Sequence, residues 1–246
     1  MLKRNFNARV WGRMQTFSRD NTLVVPGDRV LVAFSSGPDS VCLAHFLSHL
    51  AGRRGFSVAL CHVNHGLRGG AKADEKFAAS FARTLRLDCV VKKAAVKAYA
   101  RREKLSTEHA ARNLRYELLA QAAKELRCNK IATGHHLDDN AETVLLNLLR
   151  GTSPQGLTGI PLRRKLKNCS AELVRPLLCV TRAEIMLYLK HNGLDYRTDE
   201  SNDCEDFTRN WVRKTLLPLL ETKQPKFREH LLILSGKIAR LIRERG

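Results

Sequence analysis

Val30-Leu31-Val32-Ala33-Phe34-Ser35-Ser36-Gly37-Pro38-Asp39-Ser40 decides how this chain is read. Its five leading apolar residues predict a buried strand that runs into a turn of small residues. Leu43, Phe46, Leu47 and Leu50 then recur at helical spacing, so a helix follows. A strand, a tight loop and a helix N-terminus together form an anion site. The first helical amides lack intrahelical partners, and the helix dipole adds partial positive charge there. Ser35, Ser36 and Ser40 add hydroxyls, and Gly37 lets the backbone approach a ligand closely. The Gly-Lys-Ser/Thr of a Walker loop is absent. A carboxylate, Asp39, sits at the heart of the loop, and an acid suits a phosphate when a magnesium ion lies between them. The plainer alternative is a strand–helix turn capped by Asp39 and Ser40.

Working outward, residues 57–63, 88–91 and 130–134 predict three further strands. Helical patterns lie between them. Residues 71–85 place Phe77, Phe81 and Leu85 on one face. Ser106 caps a long helix with Glu108 in its first turn and an inner stripe of Ala111, Leu114, Leu118 and Ala122. His135-His136-Leu137-Asp138-Asp139 opens a helix carrying Glu142, Val144, Leu145, Leu148 and Leu149. This repetition predicts an α/β fold: a doubly wound, mostly parallel sheet with right-handed crossovers and helices on both faces. Ligands in such folds bind at the carboxyl ends of strands, where the loops at Ser35, His65 and His135 fall.

Residues 1–27 predict an amphipathic helix, with Phe6, Val10, Met14 and Phe17 at helical intervals. Residues 28–220 form the expected main domain. Within it, residues 151–157 read as loop and Arg163-Arg164-Lys165-Leu166-Lys167 as a basic stretch. Thr181 and Glu184 form a capping box, and residues 199–203 are a polar turn. A helix over 207–220 is expected to break at Pro218, leaving residues 221–246 as a basic helical tail.

The 43 Lys and Arg against 24 Asp and Glu give a formal net charge of +19, which points to a polyanionic partner, nucleic acid first. The run Lys92, Lys93, Lys97, Arg101, Arg102 and Lys104 reads either as a solvated face or as nucleic-acid contact. No segment approaches the roughly 18 uninterrupted apolar residues of a spanning helix, and no secretory pattern is visible, so no membrane partner is expected. Seven cysteines without a Cys-x-x-Cys pair signal neither zinc nor an iron–sulfur cluster, and the expected location is the reducing cytoplasm.

Asp138, Asp139 and Glu142 lie three and four residues apart, so their side chains can converge at a helix start. Carboxylates suit magnesium or a cationic substrate, whereas adjacent His135 and His136 point apart and rarely ligate together. Simple complementation of the helix dipole is the alternative, worth about 0.3–1 kcal/mol.

Ser35-Ser36-Gly37-Pro38-Asp39-Ser40 resembles the Ser-Gly-Gly-x-Asp-Ser loop of the N-type ATP pyrophosphatases. Cys61-His62-Val63-Asn64-His65-Gly66-Leu67-Arg68 narrows the resemblance to the tRNA(Ile)-lysidine synthetase family. So do Glu108-His109-Ala110-Ala111-Arg112-Asn113-Leu114-Arg115-Tyr116 and the segment from Thr133 to Thr143. Arg175-Pro176-Leu177-Leu178, Asp199 with Ser201-Asn202, and Arg209-Asn210-Trp211-Val212-Arg213 follow in the family's order.

The resemblance implies an adenine nucleotide alpha hydrolase-like fold, with residues 28–220 as the catalytic domain and ATP and Mg2+ as cofactors. It implies a reaction in which ATP adenylates C2 of the wobble cytidine of a CAU-anticodon isoleucine tRNA. Free lysine then displaces AMP, giving lysidine and changing codon specificity from AUG to AUA. ATP would be held by Ser35, Ser36, Gly37, Pro38, Asp39, Ser40, His65, Arg68, Gly134 and His135, with the metal on Asp39. Arg112 would stabilise charge on the α-phosphate. Asp138, Asp139 and Glu142 would act on lysine, Asp138 and Glu142 by binding it. A homodimer is compatible with this reading. A related tRNA-thiolating enzyme and an inactive tRNA-binding homologue are the alternatives.

Two departures stand out. Ser36 replaces the family's glycine, and a positive φ there costs about 1–2 kcal/mol. Many members also continue into C-terminal domains that grip tRNA, where this chain has only its basic tail after residue 220.

Overall fold

The structure is a computed structural model, and it describes residues 2–66, 70–198 and 207–244. Its strands are β1 (Arg29–Ala33), β2 (Ser57–Asn64), β3 (Asp88–Lys93), β4 (Lys130–Ala132), β5 (Arg163–Lys165) and β6 (Glu172–Val174). They form one sheet in the order β3-β2-β1-β4-β6-β5, parallel throughout except for β5, which runs antiparallel to β6 at the edge. The helices are α1 (Leu2–Asp20), α2 (Pro38–Arg54), α3 (Ala71–Leu85), α4 (Val96–Glu103) and α5 (Thr107–Glu125). They continue with α6 (Leu137–Leu149), α7 (Arg182–His191), α8 (Phe207–Trp211), α9 (Leu217–Lys223) and α10 (Phe227–Glu244).

Strand periodicity divides the core. Val30, Val32, Val58, Leu60 and Val174 face α1, α2, α3 and α7, while Leu31, Ala59, Cys61, Ile131 and Leu173 face α5. Because both faces are covered, the central strands read as continuous apolar runs. Phe77 and Phe81 of α3 stack on Phe34, with ring centroids 6.4 and 5.1 Å away. Ser106 caps α5 by accepting from the His109 N–H, and Thr181 with Glu184 forms the expected capping box on α7.

Several expectations need correction. Residues 163–165, read only as a basic stretch, form edge strand β5, and β6 was not anticipated. Both are three residues long: β6 is fixed by β4, some forty residues earlier in the chain, and β5 folds back on β6. The basic run is divided, with Lys92 and Lys93 ending β3 and Lys97, Arg101 and Arg102 on α4, which packs on α5 and gives that helix a second apolar stripe through Ala111, Leu114 and Leu118. Leu148 and Leu149 are exposed, and Val144, Leu145 and Leu146 make the buried stripe of α6. Pro218 does not break its helix. A π-helical turn, Val212–Leu216, precedes it, and the Leu217 N–H reaches the Val212 carbonyl five residues back. That widening absorbs the hydrogen bond a proline cannot donate. The polar turn at 199–203 lies outside the described residues. Among the described residues no helix is long and apolar enough to cross a membrane.

Candidate functional site

The chain lays β2 and β3 on one side of β1 and returns with β4 on the other. The carboxyl ends of β1 and β4 therefore bound the crevice at the switch point, where open α/β sheets bind ligands. A cavity of about 410 Å³ opens there, within the range for a small-molecule ligand. Ser35, Asp39 and Ser40 line it from β1, His62 to Gly66 from β2, Thr133, Gly134, His135 and Asp139 from β4, and Arg115 and Tyr116 from α5.

The loop after β1 is braced by its own hydroxyls. Ser40 Oγ donates to the Gly37 carbonyl at 2.8 Å and accepts from the Ser35 N–H at 3.2 Å. Gly37 is the N-cap of α2, Pro38 starts the helix, and Asp39 lies in its first turn. The amides opening α2 thus face the crevice without intrahelical partners. Gly134 permits the close approach of the two loops, since a Cβ there would stand 3.1 Å from the Asp39 Cβ and 3.2 Å from its carbonyl carbon.

Ser36 is fully buried with φ +66°, so the position does demand the left-handed region. Its carbonyl accepts from the Arg197 N–H at 2.9 Å, and its Oγ donates to the Asp74 carbonyl at 3.3 Å. Ser36→Gly removes about 1–2 kcal/mol of strain against a long hydrogen bond worth about 0.5–1 kcal/mol. A small rise in Tm is the expected result. A fall in thermal melts would mean that the Asp74 contact outweighs the strain.

Asp39 pairs with Arg182 of α7, and its Oδ1 lies 3.9 Å from His136 Nε2. His136 also stands 3.4 Å from Asp138 and 3.6 Å from Asp139. Burial alone would lower the His136 pKa, but the hydrogen bond to Asp138 and the charges of Asp139 and Asp39 raise it. Asp138 is held below its ordinary value: burial pushes it up, but His136, the Arg182 N–H and Arg228 outweigh that. Asp139 is raised by burial despite His136 beside it. His135 is driven down to about 3 by burial and then by Arg175 and Arg112, so it is neutral. The His136 contribution to stability is complete below its ordinary value of 6.5 and is lost as pH rises through the raised folded value. The Asp138 contribution is present above its ordinary 3.8 and is lost as pH falls through the depressed value. Wild type should therefore lose Tm from pH 6.5 upward, and His136→Gln should flatten that slope. An unchanged slope in the variant would exclude His136 as its source.

The acidic cluster does not converge as a unit. Glu142 is fully buried and turned away, its carboxylate held by Arg209 Nε at 2.9 Å and Arg213 Nε at 2.7 Å. Asp138 accepts from the Arg182 N–H at 2.8 Å and meets Arg228 of α10 at 3.3 Å. Asp139 accepts from the His136 N–H at 3.0 Å and is the member that lines the cavity. Arg112 is exposed beside Tyr116, its guanidinium 5.7 Å from the ring centre. Arg68 lies outside the described residues. Sequence reasoning missed Arg182, Arg197, Tyr116 and Arg228. For Arg182 a signal existed: a cation in the first turn of a helix opposes the dipole and calls for a partner elsewhere.

A loop of hydroxyls and free amides opposite carboxylates suits a polyphosphate accompanied by a cation. Residues 8–220 match the model of the PP-loop domain family. A tRNA(Ile)-lysidine synthase from Petrotoga mobilis is 34% identical over 236 residues, covering 96% of this chain and 72% of that one. The chain belongs to the tRNA(Ile)-lysidine synthase family of PP-loop proteins. Another member, from Dehalococcoides mccartyi, is 40% identical over 224 residues, covering 89% of this chain and 48% of that protein. The chain spans about half the length of most of the curated family members it matches. The U34-tRNA thiolase NcsA from Methanococcus maripaludis shares the fold, with a TM-score of 0.78 over 98% of this chain and 80% of that one, at 19% identity.

Proposed function

We propose that the chain carries out the lysidine-forming reaction of its family in the cytoplasm, on a CAU-anticodon isoleucine tRNA. The supporting observation is the pairing, across the β1/β4 crevice, of an anion cradle with an inward-facing carboxylate. ATP lies with its phosphates on Ser35 to Ser40 and the opening of α2. The C2 oxygen of the cytidine attacks the α-phosphorus, and pyrophosphate leaves. The lysine ε-amine then adds at C2, loses a proton, and AMP departs with the C2 oxygen. Positioning and charge stabilisation supply most of the catalysis in such a displacement.

No group of three or more His, Cys, Asp or Glu able to hold a metal ion occurs among the described residues, and Asp39 already pairs with Arg182, so a divalent ion beside Asp39 would take its other ligands from the nucleotide phosphates and water. Asp39 would hold Mg2+, which when bound neutralises phosphate charge. Asp139 is the best placed proton acceptor: it faces the cavity, and its raised pKa brings it closer to that of an amine it must deprotonate. Glu142 supports this site from behind through Arg209 and Arg213, and lysine can reach it only by displacing them. Residues 28–220 carry the chemistry. The tail at 221–246 contributes Arg228, which steadies Asp138.

Incubation with ATP, Mg2+, labelled lysine and tRNA tests the reading. Lysine should enter only tRNA bearing CAU, with one pyrophosphate per lysine. Pyrophosphate release without lysine incorporation would overturn it.

A further inference from the structure

Four arginines paired with the acids of this region are neutralised within the fold: Arg182 by Asp39, Arg197 by Asp74, Arg209 by Glu142 and Arg228 by Asp138 and Glu221. A second group is not. Among the described residues Arg112, Arg164 and Arg175 pair with no carboxylate, yet all three gather at Tyr116. The Arg112 and Arg164 guanidiniums lie 5.7 and 4.8 Å from its ring centre. Arg175 is only 3% exposed, donates to the Pro161 carbonyl, and has its Nε without a partner. Its charge also interacts with Tyr116.

The edge strand explains how this cluster forms. Arg164 pairs across β5 and β6 with Leu173, whose side chain lies on the α5 face of the sheet. Directly opposed residues share a face, so Arg164 is delivered to α5 and to Tyr116. Its strand neighbour Arg163 has another task, since it donates to the Asn21 carbonyl and approaches Glu172 at 3.7 Å. Uncompensated guanidiniums held this close repel one another, which a bound anion relieves.

Two anions are conceivable, the phosphates of a nucleotide in the cavity and the backbone of an arriving RNA. Tyr116 lines the cavity and Arg112 and Arg175 act on His135 within it, but the position of Arg164 favours the second. The loop at Ser35 to Ser40 already offers a phosphate cradle at the end of β1, whereas β5 is two strands beyond β4 at the rim. That separation is about 10 Å. Arg164 is exposed there, on a protein of net charge +19.

We propose that Arg164, held against Tyr116 at the rim, docks a phosphodiester of the single-stranded RNA flanking the target base, while Arg112, expected on the α-phosphate, and buried Arg175 stand on the cavity side of the same cluster. The site positions the strand and does not read its sequence, as phosphate contacts do. The inference rests on the tRNA reading above.

Arg164→Ala and Arg164→Lys in the full chain test it, with a CAU anticodon stem-loop, a scrambled loop and ATP as separate ligands. Arg164→Ala should weaken both RNAs about three- to tenfold and lower the slope of log affinity against log salt by about 1, with ATP affinity unchanged. Arg164→Lys, which keeps the charge, should restore most of the affinity. Unchanged RNA affinity and slope in Arg164→Ala would overturn the inference and leave the tRNA reading standing. ATP affinity falling in step with RNA affinity would assign the cluster to the nucleotide and overturn it as well. Failure of wild type to bind either RNA would remove the tRNA reading and this inference together.

Discussion

Asp39→Asn is expected to reduce tRNA-dependent pyrophosphate release about a hundred- to a thousandfold while leaving the fold and RNA affinity close to wild type. The magnitude is that of removing one charge-stabilising group from a preorganised site, about 2.7–4 kcal/mol of transition-state energy. Stability should barely move, because the Asp39 and Arg182 side chains are 30% and 41% exposed and such a pair is worth about 0–1 kcal/mol. Arg182, freed of its partner, remains hydrated. Pyrophosphate assays, RNA binding and thermal melts on one preparation separate the cases. A parallel loss of RNA affinity and Tm would make Asp39 a structural residue of the loop. Retained pyrophosphate release would exclude it from the chemistry.

The largest stability effect is expected from Arg209→Ala combined with Arg213→Ala. The Glu142 side chain is 1% exposed, and its two arginines are 37% and 40% exposed. Truncating both strands a carboxylate inside the α6 core, a defect costing about 3–5 kcal/mol. For a chain of this size that is a fall in Tm of about 10 °C. Adding Glu142→Gln to the pair should recover much of the loss, because no charge is then stranded. A double variant within about 1 kcal/mol of wild type would show that water already solvates Glu142.

The central fold was legible because β1, β2 and β4 are buried on both faces, and such strands appear in sequence as unbroken apolar runs. Their polar loops were equally visible, since serines, histidines and acids recur at the carboxyl ends of three neighbouring strands, where ligands bind in such folds. Helix starts at Ser106 and Thr181 followed from caps that act within three residues. The edge strand β5 carries no such pattern, nor does its short neighbour β6. Three residues that include arginines and a lysine become a strand only when a partner supplies the ladder.

The amino-acid order by itself determined the doubly wound core and the loop from Ser35 to Ser40. Those properties come from local backbone geometry and short-range periodicity. Tertiary structure alone decided how the acids are used. Asp39 meets Arg182 across 143 positions, and Glu142 meets Arg209 and Arg213 across 67 and 71. Spacing put Asp138, Asp139 and Glu142 on one helix start, but charge pairing distributed them: Glu142 to the interior, Asp138 to α7 and α10, and Asp139 to the cavity. Coulomb attraction acts through space, so the partners of a charge are set by the folded surface around it and not by its neighbours in the chain.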